Sequence, residues 1–127
     1  MRFPESTEMF VPIFDVLVSK QELVKIREMN AEIVKLMQLP DECVEELAVG
    51  KSCSKTELYY RSSWARSYLK ARGYITNPKK GKWCLTEEYA YRANADQEEV
   101  RTELKNLARL RCKSEYVEGR FGYKWPE

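Results

Sequence analysis

The middle of the chain changes from a helical to an alternating apolar pattern at one glycine, and this change restricts its folds. Residues 56–72 (TELYYRSSWARSYLKAR) have the clearest helical pattern in the sequence, and Gly73 follows as a left-handed exit. The apolar side of this helix carries Leu58, Ala65 and Leu69. Residues 74–76 and 82–86 are β-prone and flank a turn at residues 77–81 (NPKKG). The pattern predicts a long helix followed at once by a β-hairpin with a basic tip.

Apolar residues at helical spacing also predict several helices outside this segment. They cover about residues 9–19, 21–38, 41–49 and 95–113, with a further helix start at Thr86. The fold class is therefore α+β and mostly helical: a winged helix-turn-helix domain over residues 9–92, with a helical extension or linker over 93–127. In that fold the last helix before the hairpin is presented to DNA and the hairpin is the wing.

Several classes of function are excluded by what the sequence lacks. It has no histidine, which excludes Ser–His and Cys–His catalysis and His-ligated metal sites. Its four cysteines form no Cys-x-x-Cys pair and are expected to be buried or half-buried thiols. No glycine-rich phosphate loop is present. We therefore expect no enzyme activity, no cofactor and no metal. The short apolar runs and the absence of a secretory signal pattern favour a cytoplasmic protein without a membrane span.

The nearly balanced overall charge of +2 conceals a strong asymmetry along the chain. Residues 1–50 carry a net charge of −5 and residues 83–127 a net charge of −1, whereas residues 51–82 carry +8. The surplus positive charge thus lies in the predicted recognition helix and wing. Clustered cations are the electrostatic signature of a nucleic-acid partner, although a merely solvated basic surface has the same composition.

The predicted interface with double-stranded DNA combines three groups of residues. The helix side turned away from the apolar stripe carries Tyr60, Ser63, Arg66, Ser67 and Lys70. The wing supplies Lys79, Lys80 and Lys82 for phosphate contacts, and Lys51 and Lys55 approach the backbone at the entry to the helix. Trp64 and Trp83 are expected to pack the wing against the helix instead of stacking on bases.

Two stretches of this region resemble the N-terminal domain of Mrr-type restriction endonucleases. Residues 61–73 match its Arg-x-x-Trp-Ala-x-x-x-Leu-Lys-x-x-Gly helix, and residues 77–86 match its Asn-Pro-basic-x-Gly-x-Trp-x-Leu-Thr wing. The resemblance covers about residues 9–92. It implies a winged-helix DNA-binding module that, in the full-length family, delivers a PD-(D/E)xK nuclease to a target that is often modified DNA. Tyr89 replaces the glycine of the family pattern, so a helix is expected to continue there.

Other interpretations remain open at this stage. The fold could serve as a protein-interaction module that binds an acidic partner through its wing. Pro40-Asp41 and Glu103-Leu104-Lys105 spell fragments of a nuclease signature, but such short patterns arise freely, and we interpret them as coincidence. The apolar stripe of residues 95–113 either forms a homodimer or covers the core of its own domain.

Overall fold

The computed structural model describes the backbone of residues 5–39 and 57–118, and the side chains of residues 5–39 and 59–110. A 3₁₀ turn, Ser6–Met9, precedes the first helix. The helices are α1 (Phe10–Lys20), α2 (Ile26–Leu36), α3 (Glu57–Ala71), α4 (Glu87–Ala95) and α5 (Gln97–Glu118). The strands are β1 (Val24–Lys25), β2 (Ile75–Lys79) and β3 (Lys82–Leu85). The described part of the chain is α+β and mostly helical, as predicted.

The hairpin predicted after α3 is present, and two glycines with positive φ allow its tight ends. Gly73, at φ +85°, follows α3, and Gly81, at φ +74°, lies in the turn between β2 and β3. Side chains with a Cβ are strained at these angles. The Tyr74 N–H donates to the Leu69 carbonyl at 3.0 Å, and Thr86 Oγ1 donates to the Gly73 carbonyl at 2.8 Å. Both ends of the hairpin are therefore hydrogen-bonded to the end of α3.

The sheet contains a third strand that the sequence pattern did not predict. β1 pairs antiparallel with β3, so the strand order is β1-β3-β2 and β3 is central. The helix predicted over residues 21–38 is consequently shorter. It begins at Ile26, because the residues before it form the C-cap of α1 and the strand β1. Gln21 caps α1 in a left-handed conformation, at φ 54°, and Val24 is buried opposite Trp83. Lys25 is still extended, and Glu28 Oε1 accepts its N–H at 3.2 Å at the start of α2.

The core is formed by α1, α2, α3 and α5 together with one face of the sheet. Its largest fully buried side chains include Phe10, Phe14, Met29, Leu69 and Ile75. The long helix α5 packs on α1 and α4. Two of its apolar residues, Val100 and Leu104, are completely buried.

The apolar stripe of residues 95–113 is thus largely used within the domain. Leu107 is half-buried, and Leu110 is 68% exposed. The surface from which a homodimer was predicted is therefore reduced, among the described side chains, to the end of this stripe. A homodimer through residues 95–113 stays a prediction.

The structure also bears on the helix predicted to continue at Tyr89 and on the prediction that the chain has no membrane span. α4 confirms that a helix continues at Tyr89, which is itself buried. The helix predicted over residues 41–49 lies outside the described residues. Across the part of the chain that the structure describes, no helix has the length and apolarity required to cross a bilayer.

Candidate nucleic-acid interface

The predicted exposed side of α3 is largely in place. Ser67 and Lys70 are exposed, Tyr60 has 55% of its surface exposed, and Ser63 is half-buried. The opposite side is the core side, where Ala65 is completely buried. α3 therefore presents an aromatic, two hydroxyls and a lysine along one strip, with the short residues in its middle.

Arg66 is the exception, and its predicted place on this strip is wrong. Only 2% of the residue is exposed. Its Nη1 donates to Ser62 Oγ at 2.7 Å and to Asn30 Oδ1 at 3.4 Å, and Ser62 Oγ donates to Asn30 Oδ1 at 2.8 Å. The guanidinium also lies 6.0 Å from the Tyr59 ring centre and 5.9 Å from that of Trp83. Arg66 thus joins α3 to α2 and to the central strand.

The physical reason for this burial lies in the helix that packs beside α3. At about 100° per residue, Arg66 is roughly 80° from the centre of the exposed strip and as far from the core side. α2 covers this boundary and places Asn30 there, itself completely buried. Burial lowers the pKa of Arg66 to about 10, and the nearby Tyr59 acts in the opposite direction. The sequence contains one signal for this burial. Ser62 and Arg66 are four residues apart, so their polar groups lie on the same side of the helix and can face the same neighbour.

The wing lysines lie as predicted on the hairpin. Lys79 and Lys80 are exposed, and Lys82 is half-buried. Lys79 and Lys82 are directly opposite each other across the β2–β3 pair. Lys51 and Lys55, the cations predicted at the entry to α3, lie outside the described residues.

The two tryptophans predicted to pack the hairpin against α3 have different surroundings. Trp83 is 7% exposed, which confirms that it packs in the core and is not presented as a stacking platform. Trp64 is half-buried and stacks on Tyr68, with ring centres 5.2 Å apart. Tyr68 in turn stacks on Phe10 of α1 at 5.4 Å. Trp64 and Tyr68 thus link α3 to α1, and Trp83 lies beside Arg66 of α3.

The exposed lysines of this region have no carboxylate partner among the described side chains. The ion pairs that the structure does show join Lys35 to Glu32, Arg92 of α4 to Glu99 and Glu103, and Arg101 of α5 to Asp15 and Glu98. Lys70, Lys79, Lys80 and Lys82 take part in no such pair with residues 5–39 or 59–110. No carboxylate among the described side chains therefore neutralises these charges.

The family model of the Mrr N-terminal domain matches residues 7–90. The chain belongs to this family. The match extends from the 3₁₀ turn into α4, so it contains α3, the hairpin and every described residue of the predicted interface. No curated protein and no solved structure gives a significant match. In this Mrr N-terminal domain family member, α5 lies beyond the matched segment.

Glu103 of α5, part of the nuclease-like fragment, is fully engaged within the fold. Its Oε1 accepts the hydroxyl protons of Tyr74 at 2.6 Å and Tyr89 at 2.9 Å, and its Oε2 accepts Arg92 Nη2 at 2.6 Å. Burial tends to raise the pKa of Glu103, but the hydrogen bonds from Arg92 and the two tyrosines outweigh it and lower the pKa. Among the described residues no three carboxylates or thiols come together as metal ligands. Glu103 is therefore a structural acceptor that fastens α5 to the Mrr N-terminal domain.

This arrangement predicts a pH-dependent contribution of Glu103 to stability. We expect Glu103→Gln to lower the free energy of unfolding by about 1–2 kcal/mol at pH 7, because a charge-assisted bond is lost and solvent screens only part of it. Since folding lowers the pKa of Glu103, its contribution is present above the unfolded pKa of about 4.3 and disappears as pH falls through the folded pKa. Thermal melts of the variant and the parent between pH 7 and pH 3.5 measure this difference.

The matched control is Glu22→Gln, which removes an exposed carboxylate from the loop between α1 and β1. It is expected to leave the melting temperature within experimental error at every pH. A difference between Glu103→Gln and the parent that stays constant down to pH 3.5 would contradict the role given to the Glu103 charge.

An open cleft of about 790 Å³ lies between α1, the end of β3 and α4. Its lining is mostly aliphatic and amide, and it includes Leu17, Leu85, Tyr91 and Cys84. Burial raises the pKa of the Cys84 thiol, which keeps it protonated and weakly nucleophilic at neutral pH. Glu22 is the only carboxylate among the described residues of the lining. This combination gives the cleft no acid–base pair or activated nucleophile.

Proposed function

We propose that this Mrr N-terminal domain is a non-catalytic winged-helix module that binds double-stranded DNA. In this proposal α3 is the recognition helix and the β2–β3 hairpin is the wing. The order of elements supports it, because α1, α2 and α3 come before the hairpin. Strand β2 of the hairpin packs directly on α3, the last of these three helices. Membership in the Mrr N-terminal domain family is in accord with a DNA partner.

The observation that carries the proposal is a set of lysines on α3 and the hairpin that form no ion pair with any described carboxylate. Elsewhere in the described residues, α4 and α5 pair Arg92 and Arg101 with acids. Lys70, Lys79, Lys80 and Lys82, by contrast, form no ion pair with any side chain that the structure describes. A duplex carries a dense row of phosphates, and cations that are already desolvated or paired would gain little from it. The concentration of positive charge in residues 51–82 therefore favours a polyanionic partner.

Each group of residues has a separate part in the proposed complex. Ser63 and Ser67 are short enough to let α3 approach the groove closely, with Tyr60 and Lys70 at its two ends. Lys79, Lys80 and Lys82 contact phosphates beside the groove. Lys51 and Lys55 are proposed to contact the DNA backbone at the entry to α3. Arg66 has no direct part, because it is buried under α2.

A salt titration of duplex affinity tests the proposal. If about five phosphates are neutralised, the logarithm of the association constant should fall linearly with the logarithm of salt concentration, with a slope of about −4 to −5. Fluorescence anisotropy with a labelled 20-base-pair duplex measures it. No duplex binding at low salt, or an affinity independent of salt, would contradict the proposal and favour a protein-interaction module.

A further inference from the structure

Three lysines form a row across the whole sheet. Lys82 in the central strand is opposite Lys25 of β1 on one side and opposite Lys79 of β2 on the other. Residues directly opposite each other in an antiparallel pair point to the same face. Val24 and Trp83, one position away, point to the core, so Lys25 and Lys82 point to the outer face. A register shift between Thr76 and Lys79 brings Lys79 opposite Lys82, and Lys79 is exposed. Neighbouring strands are about 4.8 Å apart, so the row is about 10 Å long.

Such a row costs stability, because like charges directly opposite each other repel. Lysines often occur on edge strands, where they prevent pairing with other molecules. That explanation suffices for β1 and β2, which are the edges, but not for Lys82 in the central strand, which has a partner on each side. No acid among the described residues forms an ion pair with Lys25, Lys79 or Lys82. The repulsion is thus not relieved within the described part of the chain.

The position of Lys25 is fixed relative to the wing by the backbone. The Ile26 N–H, at the start of α2, donates to the Gly81 carbonyl at 3.2 Å. The turn of the wing and the first turn of α2 therefore lie side by side. The nearby acid, Glu28, has its Oε1 engaged with the Lys25 N–H, and Arg27 beside it is exposed.

We infer that Lys25 is a DNA phosphate contact and that the DNA-binding surface continues from the wing across β3 to β1. This inference rests on the proposed function and extends it to a residue that lies far from the wing in sequence. A bound phosphate chain would offset the mutual repulsion of the three lysines, which nothing in the described part of the chain does. The basic surface is therefore a continuous strip on the sheet instead of a hairpin tip alone.

The test compares three single substitutions: Lys25→Gln, Lys79→Gln and Lys105→Gln. Lys105 is an exposed lysine on α5 and provides the matched control for charge. We expect Lys25→Gln and Lys79→Gln each to weaken duplex binding about threefold to tenfold and to make the salt slope shallower by about one. Lys105→Gln should keep the affinity and slope of the parent protein.

The melting temperature supplies the second readout. Because Lys25→Gln removes a repulsive neighbour of Lys82, it should melt at the same temperature as the parent or slightly higher while binding DNA less tightly. If Lys25→Gln binds like Lys105→Gln while Lys79→Gln is weakened, the inference is wrong and the proposed function stands. If the parent protein binds no duplex, both are wrong.

Discussion

Replacing the three wing lysines, Lys79, Lys80 and Lys82, with glutamate is expected to reduce duplex affinity about a hundredfold or more in 0.1 M salt. The change removes three of about five phosphate contacts and puts three negative charges beside the DNA backbone. The salt slope should become shallower, from about −4 to −5 to about −2, because fewer counterions are released. Anisotropy titrations over a range of salt concentrations give both quantities.

The matched control reverses three exposed lysines elsewhere: Lys20, Lys35 and Lys105. Both triple variants change the net charge by the same amount, so a general long-range effect would weaken binding equally in the two. We expect the control to lose affinity far less and to keep the slope of the parent protein. Circular dichroism verifies that both variants are folded. Equal losses in the two variants would contradict the assignment of the hairpin as the wing.

The parts of the fold that sequence predicts well are those specified by local residues. The hairpin is specified by Gly73, by the Asn-Pro-Lys-Lys-Gly turn and by strand alternation, all within a few residues. The strand β1 could not be predicted in this way, because two residues form a strand only by pairing with β3, far along the chain. The apolar spacing of Leu23 and Ile26 fits a helix equally well. Pairing of Val24 with Trp83 decides between the two.

The same distinction applies to the candidate site. Lysines on a turn or at the end of a strand are mostly exposed, so the exposure of Lys79 and Lys80 on the hairpin could be predicted from sequence. Lys25 was missed because its significance comes from its partners across the sheet. Arg66 was misplaced because a side chain at the boundary of a helix face is buried or exposed according to its neighbour. That neighbour, Asn30, belongs to another helix.

The burial of Arg66 leads to the second large expected effect. Arg66→Ala should lower the free energy of unfolding by about 3 kcal/mol, because it opens a cavity under Trp83 and removes a donor from Asn30 and Ser62. Arg66→Met should cost less, about 1 kcal/mol, since methionine fills similar space and no cation has to be desolvated, although Asn30 and Ser62 lose the same donor. The lowered pKa of Arg66, about 10, shows that burial opposes its charge. Urea unfolding of the two variants and the parent measures the difference.

Duplex affinity separates this structural role from a role in the groove. A groove-facing arginine would lose its DNA contact equally in Arg66→Ala and Arg66→Met, whereas a buried arginine predicts that the folded Met variant binds like the parent. Lys70→Met on the exposed side of α3 is the matched control and should weaken binding about threefold to tenfold. A loss of affinity in Arg66→Met as large as in Lys70→Met, with stability unchanged, would place the guanidinium on the DNA after all. Retained affinity would show that it acts only by fixing α3 against α2 and the sheet.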